Sequence, residues 1–266
     1  MKNTSKELVE KAYKESDLAK RWKCIAEIQR RGTREEFNIA KEQTKSNDPI
    51  RRGIGADILG QLGWQKSKFR KSSVQILVSL LEDKNEDVIY AAATALGHRE
   101  APEAIPHLIK LKDHKNEEIR LGVVYGLTGY EDEDTVKTLI ELSNDPDHDV
   151  KNWATFNLGS QCDVDTPELR KVLKARLNDE DSDTRGEAII GLAKRKYENI
   201  EDIIIKELEN DEIGTLVLEA ATLIGNRTFL PYLKKWQDFK KWQETPENLE
   251  DTYFQDVLYD AVKACS

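Results

Sequence analysis

Two aspartate strings are the first residues whose spacing could do chemistry. Asp145, Asp147 and Asp149, and again Asp179, Asp181 and Asp183, stand at alternate positions, the way a calcium loop opens. Such a loop needs glycine at its sixth position for the sharp turn and a bidentate glutamate at its twelfth. Those positions hold Val150 and Phe156 in one string, Thr184 and Ile190 in the other. Aspartates that fail as calcium ligands still serve as helix caps, because their oxygens accept from the free N–H groups of a helix N-terminus. Capping is the role expected here. Gly53, Gly55 and Gly60 form a broken glycine string with no strand before it, so a phosphate cradle is not expected, and neither a P-loop nor a nucleophile-elbow motif occurs. Cys24, Cys162 and Cys265 lie more than 100 residues apart without a CxxC pair, which signals neither a disulfide framework nor a zinc site.

The elements that would position any site are repeats. A leucine-like anchor closes each small-residue-rich segment at Ile28, Leu59, Leu96, Leu127, Leu158, Leu192, Ile224 and, more loosely, Leu258, at intervals of 31 to 37 residues. In the best copies an acidic turn comes first, a β-branched residue sits eight before the anchor, and a small residue follows it. Asp83, Val88, Leu96 and Gly97 make one copy; Asp145, Val150, Leu158 and Gly159 make another. Upstream of each turn runs a second apolar segment at helical spacing, such as Val74, Leu77, Val78 and Leu81. Each unit therefore reads as an A-helix, a turn and a B-helix, and almost nothing reads as a strand.

The strings DVIYAAATALG, EIRLGVVYGLTG, DVKNWATFNLG and DTRGEAIIGLA resemble the second helix of HEAT repeats, particularly those of the phycobilisome-lyase type. The resemblance implies an all-α, right-handed solenoid of about seven helical pairs over residues 18–236. Residues 1–17 are expected to be a polar arm or first helix. Residues 237–266 are expected to be aromatic-rich capping helices, within a cluster formed by Tyr232, Trp236, Phe239, Trp242, Tyr253, Phe254 and Tyr259. HEAT-like arrays include scaffolds, transport receptors, lyase subunits, DNA glycosylases and an iron-dependent hydroxylase built on His-Glu pairs. This sequence has no His-Glu dipeptide; the nearest string is His98, Arg99 and Glu100. No metal or other cofactor is expected, since no symmetric set of imidazole and carboxylate ligands is present.

Binding information lies on the B-helices. With the β-branched residue as position 0 and 100° per residue, positions 0, +4 and +8 share the face that must pack on the A-helices. The opposite face, at +2, +6 and +10, carries Tyr90, Thr94 and His98, then Leu121, Tyr125 and Gly129, then Asn152, Phe156 and Ser160. With Trp153 at its flank this is an aromatic stripe, rimmed by Arg99, Arg120, Lys151 and Glu187. Apolar surface with a polar rim marks interaction sites, and Tyr, Trp and Arg are enriched at their hot spots. The expected partner-binding residues are therefore Tyr90, Arg99, Arg120, Tyr125, Trp153, Phe156 and Glu187. The competing use of the aromatics is packing between neighbouring B-helices.

Composition narrows the partner. Of 266 residues, 41 are Lys or Arg and 50 are Asp or Glu, a net charge of −9. Residues 1–74 carry a net +8 and the remainder a net −17. A nucleic-acid binder should show a basic stripe along its length, and only the first third qualifies. An acidic body instead steers a basic protein. Neither a spanning helix nor a signal-peptide apolar core is seen, so a cytoplasmic protein, monomeric on its own, is expected. The sequence points to a non-catalytic scaffold or inhibitor that holds a basic protein partner, such as a nuclease-like toxin met by an immunity protein. The rival is a HEAT-like enzyme or subunit in which Trp153, Tyr125 and Glu187 cradle a nucleobase or bilin.

Overall fold

The computed structural model describes residues 3–63, 69–241 and 249–266, with the side chains of 238–241 and 249–251 left aside. Its described residues form sixteen α-helices and no strand. The A-helices are α1 (Ser5–Lys14), α3 (Arg34–Gln43), α5 (Arg70–Leu80), α7 (Ile105–Ile109), α9 (Glu133–Leu142), α11 (Pro167–Arg176), α13 (Ile200–Leu208) and α15 (Leu230–Lys241). The B-helices are α2 (Leu18–Arg31), α4 (Pro49–Gln61), α6 (Glu86–His98), α8 (Glu117–Gly126), α10 (His148–Phe156), α12 (Ser182–Lys194), α14 (Thr215–Ile224) and α16 (Leu249–Ala264). The architecture is an all-α solenoid of eight sequential pairs among the described residues, one more than the about seven that the resemblance implies. The added pair arises because α1 is no free arm: Leu8, Val9 and Ala12 are buried, and the helix packs on α2 and α4.

The chain divides into two compact units, Met1–Thr138 and Leu139–Ser266. In the first, α2, α4, α6 and α8 pack side by side with α1, α3, α5 and α7 beside them. In the second, α10, α12, α14 and α16 form the row, with α11, α13 and α15 against it. The buried wheel positions are those the sequence assigns. Val88, Ala92 and Leu96, then Ile119, Val123 and Leu127, then Val150, Ala154 and Leu158 are all fully buried. Of the eight anchors only Ile224 is half-exposed, because α14 stops there at Gly225, which caps it in the left-handed conformation.

The acidic turns are caps. Asp48, Asp147 and Asp181 accept from the first-turn N–H groups of α4, α10 and α12, and Asn85 and Asn116 do the same for α6 and α8. The inner aspartates brace the next repeat: Arg52 grips Asp83 through two bonds of 2.8 and 2.7 Å, and Lys151 pairs with Asp179 at 2.9 Å. Neighbouring B-helices approach closely where residues are small. A Cβ on Gly97 would collide with the Tyr125 carbonyl, and one on Gly159 with the Glu187 carbonyl. In the C-terminal aromatic cluster Trp236 is core and donates to the Leu208 carbonyl, whereas Tyr253 and Tyr259 are exposed. Trp242 and the Phe239 side chain lie outside the described residues.

Candidate functional site

In the first unit the face opposite the A-helices is half-buried. Tyr90 lies against Gly122 of the next B-helix, whose missing side chain makes room for the ring, and Tyr125 sits half-buried beyond Leu121. Both tyrosines are thus partly inter-helix packing and partly surface. Asp57 on α4 joins them. It is half-buried, makes no side-chain hydrogen bond among the described residues, and desolvation raises its pKa to about 7 against the relief given by Arg21. Tyr90 feels that charge, and its own pKa is raised chiefly by burial, with Glu118 and Asp57 adding to it. Trp22 on α2 is 46% exposed on the same row of helices.

The second unit holds the other half of the expected residues. Trp153 is 39% exposed, and Phe156 meets it edge-on with ring centroids 5.4 Å apart. Beyond α10 the chain continues through a wider π-type turn at Asn157–Gln161, which brings the Ser160 hydroxyl onto a Glu187 carboxylate oxygen. Such turns are frequent where a helix must re-aim side chains. Glu187 is buried, and its pKa is raised to about 7. Desolvation is the main cause, Glu219 and Asp183 reinforce it, and only the Ser160 hydrogen bond opposes it. Tyr253 on α16 donates to Glu219 at 3.0 Å.

Two expected rim residues are not on the rim. Arg99 is buried and donates to the carbonyls of Leu59 and Leu62 at the end of α4; burial lowers its pKa to about 10. Its counterpart Arg195, equally placed three residues past an anchor, donates to the carbonyls of Leu158, Cys162, Val164 and Gly191. These guanidiniums bind the negative ends of B-helices and tie repeat to repeat. Glu187, also expected at the rim, is buried as described. Arg120 reaches back to the His114 carbonyl of its own turn at 2.8 Å, the bracing use of the +1 position. Sequence reading placed Ser160 on this face without a role, and missed Asp57 and Glu219. Asp57 was findable: counted back from its anchor Leu59 it stands at +6, the position of Tyr125 and Phe156, but α4 has Arg51 where α6, α8 and α10 have the apolar Val88, Ile119 and Val150 at position 0.

Elsewhere the first unit has a cavity of about 360 Å³ lined by Gly60, Gln61, Arg70, Gly97, His98 and Arg99 among others. Arg70 is engaged by Glu103 and by the carbonyls of Arg99 and Glu100, so its charge is already compensated. Among the described residues no group of three or more His, Cys, Asp or Glu side chains could hold a metal ion, and no helix is long and apolar enough to cross a membrane.

Comparison with known proteins places this geometry. The HEAT-repeat family model matches residues 41–125, 74–159 and 109–193, together more than half of the chain. Protein YibA of Escherichia coli strain K12 is 33% identical over 69 residues, which span 26% of this chain and only 25% of that relative. The X-ray structure of E. coli YibA superposes with a TM-score of 0.72 at 26% identity, covering 99% of this chain and 92% of the other. Two further structures share the fold alone. The archaeal HEAT-like repeat protein of Thermococcus onnurineus NA1 has a TM-score of 0.53 at 18% identity over 84% of this chain and 97% of its own. The CpcE–CpcF complex of phycocyanin lyase from Nostoc sp. PCC7120 has a TM-score of 0.51 at 17% identity, covering 98% and 96%. The chain belongs to the HEAT-repeat family.

Proposed function

We propose that this chain is a non-catalytic protein-binding scaffold that holds a basic partner against the B-helix face turned away from the A-helices. The observation that carries the reading is the composition of that face. In each unit a carboxylate with a raised pKa, the half-buried Asp57 or the buried Glu187, lies on the same row of B-helices as large aromatics that are not fully buried. A solenoid stabilised only by its own packing gains nothing from carboxylates so incompletely compensated there, since burying a charge without adequate partners costs stability. A partner's cations would supply the missing compensation, and the rings its apolar contacts. The acidity of the chain favours encounter with such a partner. The sharpest form of this function is an inhibitor or immunity protein that neutralises a basic nuclease-like toxin.

Affinity capture from native lysate with three forms of the chain tests the reading. The wild type and Glu201→Gln, which alters the A-helix α13, should both retain one basic protein in stoichiometric amount. Tyr125→Ala should lose it. Retention by all three, or copurification of a pigment or nucleic acid instead of a protein, would contradict the proposal.

A further inference from the structure

We infer that the cavity at the ends of α4 and α6 in the first unit binds a small oxyanion, a carboxylate or phosphate group, which Arg99 holds. The inference goes beyond the protein-binding reading and does not depend on it. Arg99 lines the cavity together with Gly60 and Gln61 from α4, Arg70 from α5 and His98 from α6. Its volume of about 360 Å³ falls in the range of small-ligand pockets.

The site holds a cation without an anion. Arg99 is only 5% exposed, and its guanidinium meets the carbonyls of Leu59 and Leu62 through Nε and Nη2. Among the described residues Nη1 has no partner. Burial and the neighbouring Arg70 both oppose the charge of Arg99, and no carboxylate relieves it. Arg195 is the control within the chain. It stands equally far past its anchor in the second unit, is 6% exposed, binds carbonyls in the same way and also has a second arginine, Arg170, beside it. There, however, Asp163 and Asp165 favour the guanidinium charge. Beside Arg99 the acids are engaged elsewhere: Glu103 grips Arg70 at 2.9 Å, and Glu100 gives its carbonyl to Arg70 while its side chain is exposed. A guanidinium fork is matched to carboxylate and phosphate oxygens, and the Gln61 amide adds a neutral donor on the cavity wall.

The test follows the backbone amides of the full chain by heteronuclear NMR while inorganic phosphate, and in a separate titration acetate, is added at constant ionic strength. The amides of Gly60, Gln61, Gly97 and His98 should shift saturably with at least one probe, and the tighter probe names the oxyanion. The amides of Gly191 and Leu192, next to Arg195, should stay in place. Arg99→Lys keeps the charge but loses the fork and should weaken binding by about tenfold, the size of one charge-assisted contact. Glu201→Gln, on α13, should leave the affinity unchanged. Should Arg99→Lys not fold, Gln61→Leu takes its place and should weaken binding by several fold. Shifts that fail to saturate with either probe, equal shifts around Arg195, or wild-type affinity in the cavity variant would each overturn the inference.

Discussion

At the residue scale the account turns on carboxylates and guanidiniums taken out of water. Asp57 and Glu187 both have folded-state pKa values raised to about 7, above their ordinary values of 3.8 and 4.5. The folded state therefore binds protons more tightly than the unfolded one. Stability falls as pH rises from about 4.5 to 7 and is level above that. Glu187→Gln should abolish one share of this slope and raise the stability at pH 8 by on the order of 2 kcal/mol. Urea midpoints at pH 5 and pH 8 for both forms check it; a wild type more stable at pH 8 would be inconsistent with the burial described. Asp83, Asp179 and Asp181 act in the opposite sense, with pKa values lowered by Arg52, Lys151 and backbone or hydroxyl donors, so their contribution disappears only in stronger acid. Arg195 makes the complementary point. Arg195→Met leaves four carbonyls, three of them buried, short of a donor and should cost about 3 kcal/mol in denaturant titration; a cost below about 0.5 kcal/mol would mean that water replaces the guanidinium. The helical wheel already held the information that Arg99 is inside. Eleven residues past Val88 it falls ~20° from the packed face, but a charged residue invites placement on a rim. Glu187, three past Thr184, lies nearer the open face than the packed one, and its burial comes from the neighbouring turn at Gly159 and Ser160, which the wheel does not show.

At the element scale the sequence was most legible where one physical requirement repeats. An anchor every 31 to 37 residues, preceded by a capping turn, is enough to locate the B-helices and their buried faces, because a leucine cannot leave the core without cost. Leu127→Ala and Leu158→Ala remove fully buried side chains and should destabilise by about 2 to 5 kcal/mol. Denaturant midpoints equal to wild type would place the register elsewhere. Gly159→Ala tests the close approach of B-helices. Alanine favours a helix by about 1 kcal/mol over glycine, so a net loss of stability can come only from the collision with the Glu187 carbonyl. Thermal melting should show that loss, and a gain would mean that α10 and α12 are not in tight contact. What the pattern did not reveal was that α1, expected as a polar arm or first helix, packs on its neighbours. Its apolar positions are only Leu8, Val9 and Ala12 among lysines and glutamates, too few to announce a packed helix, yet they are buried. The extension of α10 through a π-type turn also left no signal, since it depends on the fit of Gly159 and Ser160 to α12.

At the scale of the whole molecule, membership of the HEAT-repeat family fixes the architecture and leaves the partner to the surface chemistry. The aromatic stripe was readable from the wheel, but its use was not, because a tyrosine at +2 or +6 can face a neighbouring helix or a ligand with the same spacing. Tyr90 does both, lying on Gly122 and remaining half-exposed, and Trp153 is the most open of the expected residues. The charge division along the chain is likewise plain in the sequence, whereas the desolvation of Asp57 and Glu187 depends on neighbours supplied by other repeats. The claim that this face recognises a protein is tested most directly by measuring, on the same preparations of wild type, Tyr125→Ala and Trp153→Ala, the melting temperature and the dissociation constant for the protein captured from lysate. The account predicts that Trp153→Ala weakens binding by about 2 kcal/mol or more with a melting temperature close to wild type, and that Tyr125→Ala loses both affinity and some stability. A large fall in melting temperature for both variants, with unchanged affinity in the folded fraction, would show that the aromatics are packing alone and contradict the account.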